Sequence, residues 1–378
     1  MAVSALEWGY PMKKQLKKQR RSLLFSGLVI FVLAVFGSIY LFLQPQENMP
    51  AGISPIASNP TFASASSEEL LRIIYIDVGQ GDSALILTPD GKSMLIDAGE
   101  SASEEKVAEV LEQYGVTFID MLIATHPHSD HIGGMKYIVE NFQIGQFCLP
   151  NVAHTSQTYE ELLLAVQQKK IPTLQAKAGV SFQLGDDVSC SVLAPASDSY
   201  ESLNDYSVVL HLSYGSTSFL FTGDAEALSE FEILASSSAS PEADVLKVGH
   251  HGSRTSTSEA FLDAIHPKYA VISCGIGNSY GHPHTEILEA LAERGITVYR
   301  TDELGDILAC SDGSKISFAK AGAVPSPATD GVDTVYVTSS GKSYHRKNCQ
   351  YYRADSVGLD LQEAQSLGYV ACTRCFEN

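Results

Sequence analysis

The chain has 378 residues, a formal net charge of −19, and 44% hydrophobic and 18% charged residues. This length predicts about two or three domains, and the composition is typical of a globular protein and excludes general disorder. Such a negative charge also excludes broad electrostatic capture of nucleic acid or anionic membrane, and leaves only a local basic patch for that purpose.

A basic tail and an uncharged apolar stretch open the chain. Residues 1–21 end in KKQLKKQRR, and residues 22–43 carry no charge. About 20 apolar residues suffice for one membrane-crossing helix, and basic residues favour the cytoplasmic side. We therefore predict a cell-membrane protein with a single-pass signal anchor at 22–43, a cytoplasmic N-terminus and an extracytoplasmic linker at 44–69. The alternative is a cleaved signal peptide, with FASAS at 62–66 as a remote cleavage site.

Short apolar runs alternate with helical patterns between residues 70 and 318. Strands are predicted at LLRIIYIDV, SALILT, SMLID, FIDMLIAT, VSCSVLAP, SVVLHLSYG, TSFLFTGD, ADVLKVGHH and YAVISCG, and helices at 104–114, 159–168, 226–234, 259–265 and 286–294. This mixture predicts a layered α/β domain whose function gathers at strand ends. A second linker is predicted at 319–333, and a small module at 334–378.

The stretch ATHPHSDHIGG places His126, His128, Asp130 and His131 directly after an apolar strand. Alternate residues leaving a strand lie on one side, so His126 and His128 can bind one ion. Asp130 and His131, at the start of a helix, can face a second ion. Imidazole and carboxylate ligands suit zinc, manganese or iron. The alternative, that these are solvated loop side chains, does not account for four ligand-type residues at this spacing.

This H-x-H-x-D-H pattern resembles the signature of the metallo-β-lactamase superfamily, whose fold is an αββα sandwich with a metal site at one edge. Asp97 in LIDAG, Asp224 in FTGDAE, and His250 and His251 in VGHHGS are similar to the family's other site elements. The resemblance covers residues 70–318. It implies two divalent ions, zinc or manganese, bridged by Asp224 and supported by Asp97.

Further stretches resemble one branch of this superfamily. IDVGQGDSALI, DVLKVGHHGSRTSTS and SYGHPHTEIL are similar to the extracellular domain of the ComEC-type competence DNA-uptake proteins. The branch likeness also implies that Asp77 and Asp82 lie near the floor of the site. Extracellular phosphorylcholine esterases share the same motifs.

The chain departs from the superfamily pattern at one ligand. Many members supply another histidine between the cluster and the bridging aspartate, but His154 and His211 lack the expected context, and NDYS, with Asn204 and Asp205 as supporting residues, stands there instead. The resemblance therefore implies two ligand sets: His126, His128 and Asp224; and Asp130, His131, Asp224 and one histidine of the GHHGS pair.

The two histidines of GHHGS are expected to have different roles, because adjacent side chains leaving a strand point apart. We predict His251 as a metal ligand, and His250 and Asp130 as catalytic residues. Two bound ions would lower the pKa of a water that attacks phosphorus or a carbonyl carbon. The predicted substrate contacts are Ser253, Arg254, His282 and His284. Loop and helix-cap roles are the alternative for these four.

The C-terminal module carries a Cys3His pattern formed by His345, Cys349, Cys372 and Cys375. Two such ligand pairs can close a tetrahedron around a structural zinc, which would stabilise so small a module. A Cys372–Cys375 disulfide is the alternative in an oxidising compartment. The pattern is similar to the Ada-type small zinc modules. Basic residues and tyrosines are interleaved in this module. This pattern is typical of a surface that binds single-stranded nucleic acid, but it fits a solvated face with structural tyrosines equally well.

These features together predict a membrane-anchored extracellular metal-dependent phosphodiesterase, with DNA as the expected substrate. A cell-envelope phosphoesterase acting on phosphorylcholine or teichoic acid is one alternative. A DNA-binding adaptor with a non-catalytic metal site is another. The four remaining cysteines, in or beside apolar segments, are predicted to be buried thiols: Cys148, Cys190, Cys274 and Cys310.

Overall fold

The computed structural model describes residues 70–236, 240–321, 334–337, 343–345, 349, 357–360 and 369–376. The predicted cytoplasmic tail, membrane anchor and first linker lie outside these residues, as do residues 322–333 of the second linker. Within the described part, no helix is both long enough and apolar enough to cross a bilayer.

Two β-sheets form the centre of the domain at 70–321. Its strands are Leu71–Tyr75 (β1), Ala84–Leu87 (β2), Ser93–Ile96 (β3), Phe118–Ile123 (β4), Gln143–Pro150 (β5), Thr173–Ala176 (β6), Ser181–Leu184 (β7), Val188–Ala194 (β8), Val209–Tyr214 (β9), Thr217–Phe221 (β10), Val245–Lys247 (β11), Tyr269–Ile272 (β12), Thr297–Arg300 (β13), Ile307–Ser311 (β14) and Ile316–Lys320 (β15). One sheet has the order β15-β14-β1-β2-β3-β4-β5-β6 and the other β13-β12-β11-β10-β9-β8-β7.

Helices cover the outer face of each sheet. They are Glu104–Gln113 (α1), Ser129–Ile132 (α2), Met135–Asn141 (α3), Gln157–Lys169 (α4), Ala227–Ala235 (α5), Glu259–Ile265 (α6), Thr285–Glu293 (α7) and Thr301–Leu304 (α8). Apolar side chains of α1, α3 and α4 pack on the first sheet, and those of α5, α6 and α7 pack on the second. The predicted αββα sandwich is confirmed.

Strand β1 shows why these apolar runs form the centre of the domain. Ile73 and Tyr75 point into the core between the two sheets, whereas Ile74 points into the core beneath the helices. Successive side chains alternate between the two faces, so a strand covered on both faces must be apolar throughout. The predicted buried thiols lie within the same cores: Cys148, Cys190, Cys274 and Cys310.

The sheet topology brings the predicted site residues to one edge. Strands β3, β4 and β5 are parallel in the first sheet, and β10, β11 and β12 are parallel in the second. Asp97 follows β3, the histidine cluster follows β4, Asp224 follows β10, and His250 follows β11. Carboxyl ends of parallel strands share an edge, which is where ligands bind in such sheets.

The C-terminal module contains a small sheet of its own. Its strands are Thr334–Val337 (β16), Ser343–His345 (β17), Val357–Asp360 (β18) and Val370–Ala371 (β19), followed by helix Thr373–Phe376 (α9). The strand order is β18-β16-β17-β19. Val335, Val337 and Tyr344 form a small apolar cluster between the strands. So few buried apolar side chains contribute little stability by themselves.

Candidate metal centre

The histidine cluster occupies the loop after β4 and the short helix α2. Ala124 N donates to the Cys148 carbonyl oxygen at 2.9 Å, which extends the sheet pairing to the edge of the cluster. A Cβ on Gly133 would lie 2.4 Å from the Ser101 nitrogen. Gly133 is required because α2 packs closely on the loop at Ser101.

The first ligand set consists of His126, His128 and Asp224, whose donor atoms lie within 4.8 Å of one another. His126 Nε2 lies 2.9 Å from His128 Nδ1 and 3.8 Å from Asp224 Oδ2. Burial, together with the charge of His131, lowers the pKa of His126 well below its ordinary value. The His126 imidazole is therefore neutral and available as a ligand.

The second ligand set consists of Asp130, His131, Asp224 and His251. His131 Nε2 lies 3.2 Å from Asp224 Oδ1. His251 Nε2 lies 3.3 Å from Asp130 Oδ2 and 3.5 Å from Asp224 Oδ1. The two oxygens of Asp224 thus face different sets, which is the geometry required of a bridging carboxylate.

Three buried atoms converge at the centre of the second set. His131 Nε2, His251 Nε2 and Asp224 Oδ1 have no hydrogen-bond partner among the described residues. Buried polar atoms are normally paired, because an unpaired one loses its hydration without compensation. A divalent ion coordinated by these atoms would satisfy all three. The residues present therefore fit a divalent metal, and imidazole with carboxylate suits zinc, manganese or iron.

Asp97 orients the second set from behind. Its Oδ2 accepts a hydrogen bond from His131 Nδ1 at 2.7 Å, which leaves His131 Nε2 facing Asp224. Thr125 holds Asp97 in turn, since its backbone N and Oγ1 donate to the carboxylate at 2.8 and 2.6 Å. Such partners fix the tautomer and ring orientation of a ligand histidine.

His250 and His251 lie in a tight turn after β11, with φ of 48° and 56°. His250 Nε2 lies 3.7 Å from Asp224 Oδ2, and His251 Nε2 lies 3.5 Å from Asp224 Oδ1. The expectation that the two side chains point apart was wrong, because left-handed backbone replaces strand geometry here. Two non-glycine residues in this conformation cost about 1–3 kcal/mol each, strain that is typical of functional turns.

The surroundings of His250 differ from those of His251. Its Nδ1 lies 3.2 Å from both Glu226 Oε1 and Thr255 Oγ1, and 3.5 Å from Asn204 Nδ2. The side chain is 23% exposed, whereas His251 is buried. His250 is therefore held in place beside Asp224 while remaining open to solvent, as a proton donor or substrate contact must be.

The NDYS stretch contributes Ser207 directly to the site. Ser207 Oγ lies 3.3 Å from His126 Nδ1 and accepts a hydrogen bond from Asp224 N at 3.1 Å. Asp205, predicted as a supporting residue, instead accepts from Ser229 N at 3.3 Å in helix α5. Sequence reasoning assigned no role to Ser207, although it lies in the segment that stands in place of the missing histidine.

The two histidines weighed for the missing ligand lie in other surroundings. His154 Nδ1 is 2.9 Å from Ser156 Oγ, ahead of α4. His211 Nε2 is 2.9 Å from the Glu242 carbonyl oxygen, on β9. Neither belongs to a cluster of metal-ligand atoms among the described residues. The first set therefore has one protein ligand fewer than the second, which leaves room for water or substrate.

A buried ion pair lies behind His251. Lys247 Nζ is 2.6 Å from Asp82 Oδ2, and Asp82 Oδ1 is 3.3 Å from His251 Nδ1. Burial raises the pKa of Asp82, but Lys247 and His251 outweigh it and hold the pKa below its ordinary value. Asp77, expected near the floor of the site with Asp82, accepts a hydrogen bond from Gly79 N in the turn between these two aspartates. Sequence reasoning missed Lys247, whose signal is a lone cation within an apolar strand.

The four predicted substrate contacts divide into two groups. His282 packs against the His250 and His251 rings, with centroids 5.5 and 6.3 Å apart. The other three have different contacts, although the His284 ring also lies beside that of His282, with centroids 4.9 Å apart. Arg254 N donates to His284 Nδ1 at 3.0 Å, and Ser253 Oγ lies 3.0 Å from Thr255 Oγ1. The Arg254 guanidinium is exposed, 3.7 Å from Glu286.

The Cys3His residues also come together. The donor atoms of His345, Cys349, Cys372 and Cys375 lie within 4.8 Å of one another, and none of the three cysteines forms a disulfide. Parallel pairing of β17 with β19 sets Tyr344 opposite Ala371, so His345 and Cys372 leave the two strands side by side. Burial raises the pKa of Cys372, but hydrogen bonds from the Arg374 backbone and neighbouring thiols lower it overall.

Metal binding at the second set is expected to release protons. Burial alone would lower the pKa of His251, but Asp224, Asp82 and Asp130 raise it to about 9. Without metal, His251 is protonated at pH 7 and must lose its proton before Nε2 can bind an ion. The apparent metal affinity should therefore rise with pH up to about 9. Calorimetry in buffers of different ionisation enthalpy counts the released protons; a proton-neutral reaction at pH 7 would contradict this prediction.

Comparison with known proteins places the chain in a family. A model of the metallo-beta-lactamase superfamily matches residues 76–276, slightly more than half of the chain. The chain is 34% identical over 253 residues to "ComE operon protein 3" of Bacillus subtilis (strain 168), covering 62% of this chain and 32% of that protein. It is 32% identical over 246 residues to "Recombination protein 2" of Haemophilus influenzae, covering 64% of this chain and 29% of that protein.

A third relative, "Competence protein ComA" of Neisseria gonorrhoeae, is 29% identical over 284 residues, covering 74% of this chain and 38% of that protein. The chain spans about a third of the length of these curated relatives. Both metal-ligand sets and the family match fall on the same αββα domain. The chain belongs to the metallo-beta-lactamase superfamily and is a ComEC-like member of it.

Proposed function

We propose that the protein is a membrane-anchored, extracytoplasmic phosphodiesterase that uses two divalent ions to hydrolyse DNA. The observation that carries this proposal is the shared carboxylate of Asp224, with one oxygen facing each ligand set. A pair of cations a few ångströms apart is typical of sites that cleave phosphodiesters. The apolar stretch at 22–43 supports the anchor.

The residues around the two ligand sets would have different roles in hydrolysis. Bound ions would supply Lewis acidity and a water of lowered pKa. His250, beside Asp224 and open to solvent, would hold a proton for the leaving oxygen. Glu226 and Asn204 orient its other ring nitrogen. Ser207 fixes both His126 and the Asp224 backbone, so the weaker first set keeps its geometry when substrate enters.

The relatives' names and the C-terminal module favour DNA over other phosphodiesters, whereas the net charge limits how DNA can bind. The relatives' names refer to recombination and competence, which favours a nucleic-acid substrate. The net charge of −19 works against general attraction of DNA, so binding must be local and the metal ions must contribute much of the positive charge. The basic and aromatic residues of the C-terminal module are a candidate second contact.

The test uses the full chain, purified in detergent with manganese or zinc. It is assayed on single-stranded DNA, on a small phosphodiester and on a phosphorylcholine ester, beside Asp130→Ala. We expect hydrolysis of DNA by the wild type and loss of that activity in the variant, because Asp130 faces His251 in the second set. Activity on the phosphorylcholine ester alone would favour an envelope phosphoesterase. Equal inertness of both proteins on every substrate would favour a non-catalytic adaptor.

For the C-terminal module we propose a structural zinc bound by His345, Cys349, Cys372 and Cys375. The converging donor atoms support this, and Cys3His is a common structural zinc set. The lowered pKa of Cys372 favours the thiolate form, which is the form that binds metal. Elemental analysis distinguishes this ion from the pair in the hydrolase domain. The likeness to Ada-type modules stays a prediction.

A further inference from the structure

A row of stacked rings leads from the metal centre to the surface. His282 lies parallel to His251, with centroids 6.3 Å apart and planes inclined by 29°. The Tyr280 ring also stacks with His282, with centroids 5.6 Å apart and planes inclined by 22°. We call these three residues, Tyr280, His282 and His251, the ring row. Its inner end is a metal-ligand candidate, and its outer end is a tyrosine.

The outer end of the ring row is exposed. Tyr280 is 67% exposed, and Ile276 on the same loop is more exposed still. Exposed apolar side chains at the entrance to a site can form the surface that a ligand covers. His282 carries a second sign of a ligand: its Nδ1 is buried and has no hydrogen-bond partner among the described residues.

The loop that carries Tyr280 is braced. Asn278 Nδ2 donates to the His282 and Gly275 carbonyl oxygens at 2.6 and 3.0 Å, and Asn278 Oδ1 accepts from His282 N at 3.0 Å. Gly275 N donates to Gln80 Oε1 at 3.1 Å, which ties the loop to the first hairpin. Tyr280 is therefore presented to solvent at a defined place, as a binding platform requires.

We propose that the ring row is a stacking platform for an unpaired nucleobase of single-stranded DNA, next to the phosphate that is cleaved. The proposal rests on the proposed function and names its substrate class. An aromatic face accepts any base, and stacking contributes strongly to single-strand binding. The bases of a duplex are already stacked on one another, so only a single strand presents a free base face to Tyr280.

The test compares Tyr280→Ala with wild type on two oligonucleotides of equal length and charge, one of thymidine and one abasic. We expect Tyr280→Ala to raise KM for the thymidine strand about 5- to 100-fold. KM for the abasic strand should be unchanged, and wild type should prefer the thymidine strand. Tyr280→Phe keeps the ring and should behave as wild type. Phe231→Ala removes an equally exposed aromatic, 67% accessible on α5, and should change neither KM.

The stacking proposal and the proposed function fail on different results. If Tyr280→Ala changes KM equally for both strands, or for neither, the Tyr280 ring does not stack on a base. In that case cleavage of both strands still leaves the proposed function intact. If the wild type hydrolyses neither strand, the proposed function fails. Fluorescence anisotropy then measures the affinity of the same proteins for the two oligonucleotides without hydrolysis. Tighter binding of the thymidine strand that is lost only in Tyr280→Ala would support stacking. Equal affinity of the wild type for both strands would refute it.

Discussion

Asp224→Asn is expected to reduce phosphodiester hydrolysis by at least about 100-fold and to empty both ligand sets of the hydrolase domain. The amide keeps the size of the side chain, but it loses the negative charge and offers only one oxygen. Each carboxylate oxygen of Asp224 faces a different set, through His126 on one side and His131 on the other. No other described residue belongs to both sets.

The charge of Asp224 also matters to its neighbours. Burial raises its pKa, but His131, His251 and His126 lower the pKa well below its ordinary value overall. With asparagine at this position, the ions would lose the negatively charged side chain that faces both ligand sets. The effect is therefore expected on binding as well as on turnover.

Elemental analysis and the DNA assay together measure this result. The wild type should hold two ions in the hydrolase domain and one zinc in the C-terminal module, whereas Asp224→Asn should keep only the zinc. Adding Cys372→Ser should remove that last ion. Asp198→Asn, which neutralises an exposed aspartate paired with Lys177, is the matched control and should match wild type. Full metal content and full activity in Asp224→Asn would refute the bridging role.

Lys247→Met is expected to destabilise the protein by up to about 3–5 kcal/mol, because it removes the nearest cation of the buried Asp82 carboxylate and leaves only His251 to balance its charge. Lys247 Nζ and Asp82 Oδ2 are 2.6 Å apart, and both side chains are almost fully enclosed. Methionine fills a similar volume, so the loss reports the charge and not a cavity. Adding Asp82→Asn should restore most of the stability, since the remaining amide carries no charge.

Urea denaturation with a chelator present measures this effect apart from metal binding. Lys92→Met is the matched control: it removes a cation 3.1 Å from Asp120 on the surface, where an ion pair contributes little. If the single and double variants at 247 and 82 unfold at the same urea concentration, the destabilisation does not come from the uncompensated Asp82 charge.

Local pattern was enough to predict most of the fold. The helix at 259–265 has the predicted bounds, and the apolar strands that carry the site residues lie where their runs of Val, Ile, Leu and Phe placed them. The strands of the hydrolase domain that were missed, β5, β6, β7, β13, β14 and β15, are short or mix polar with apolar residues. Such strands depend on pairing with a neighbour, which sequence periodicity does not contain.

By itself, the sequence determined the residue types of the site: four ligand-type side chains within six positions, a later aspartate, and a histidine pair. These follow from spacing along one chain segment, as the alternation of a strand does. Only the tertiary structure decided how His250 and His251 share Asp224, since left-handed backbone overrides that alternation. It also decided that Lys247 pairs with Asp82, because charge pairing between distant segments depends on which strand ends meet, and local sequence does not specify that.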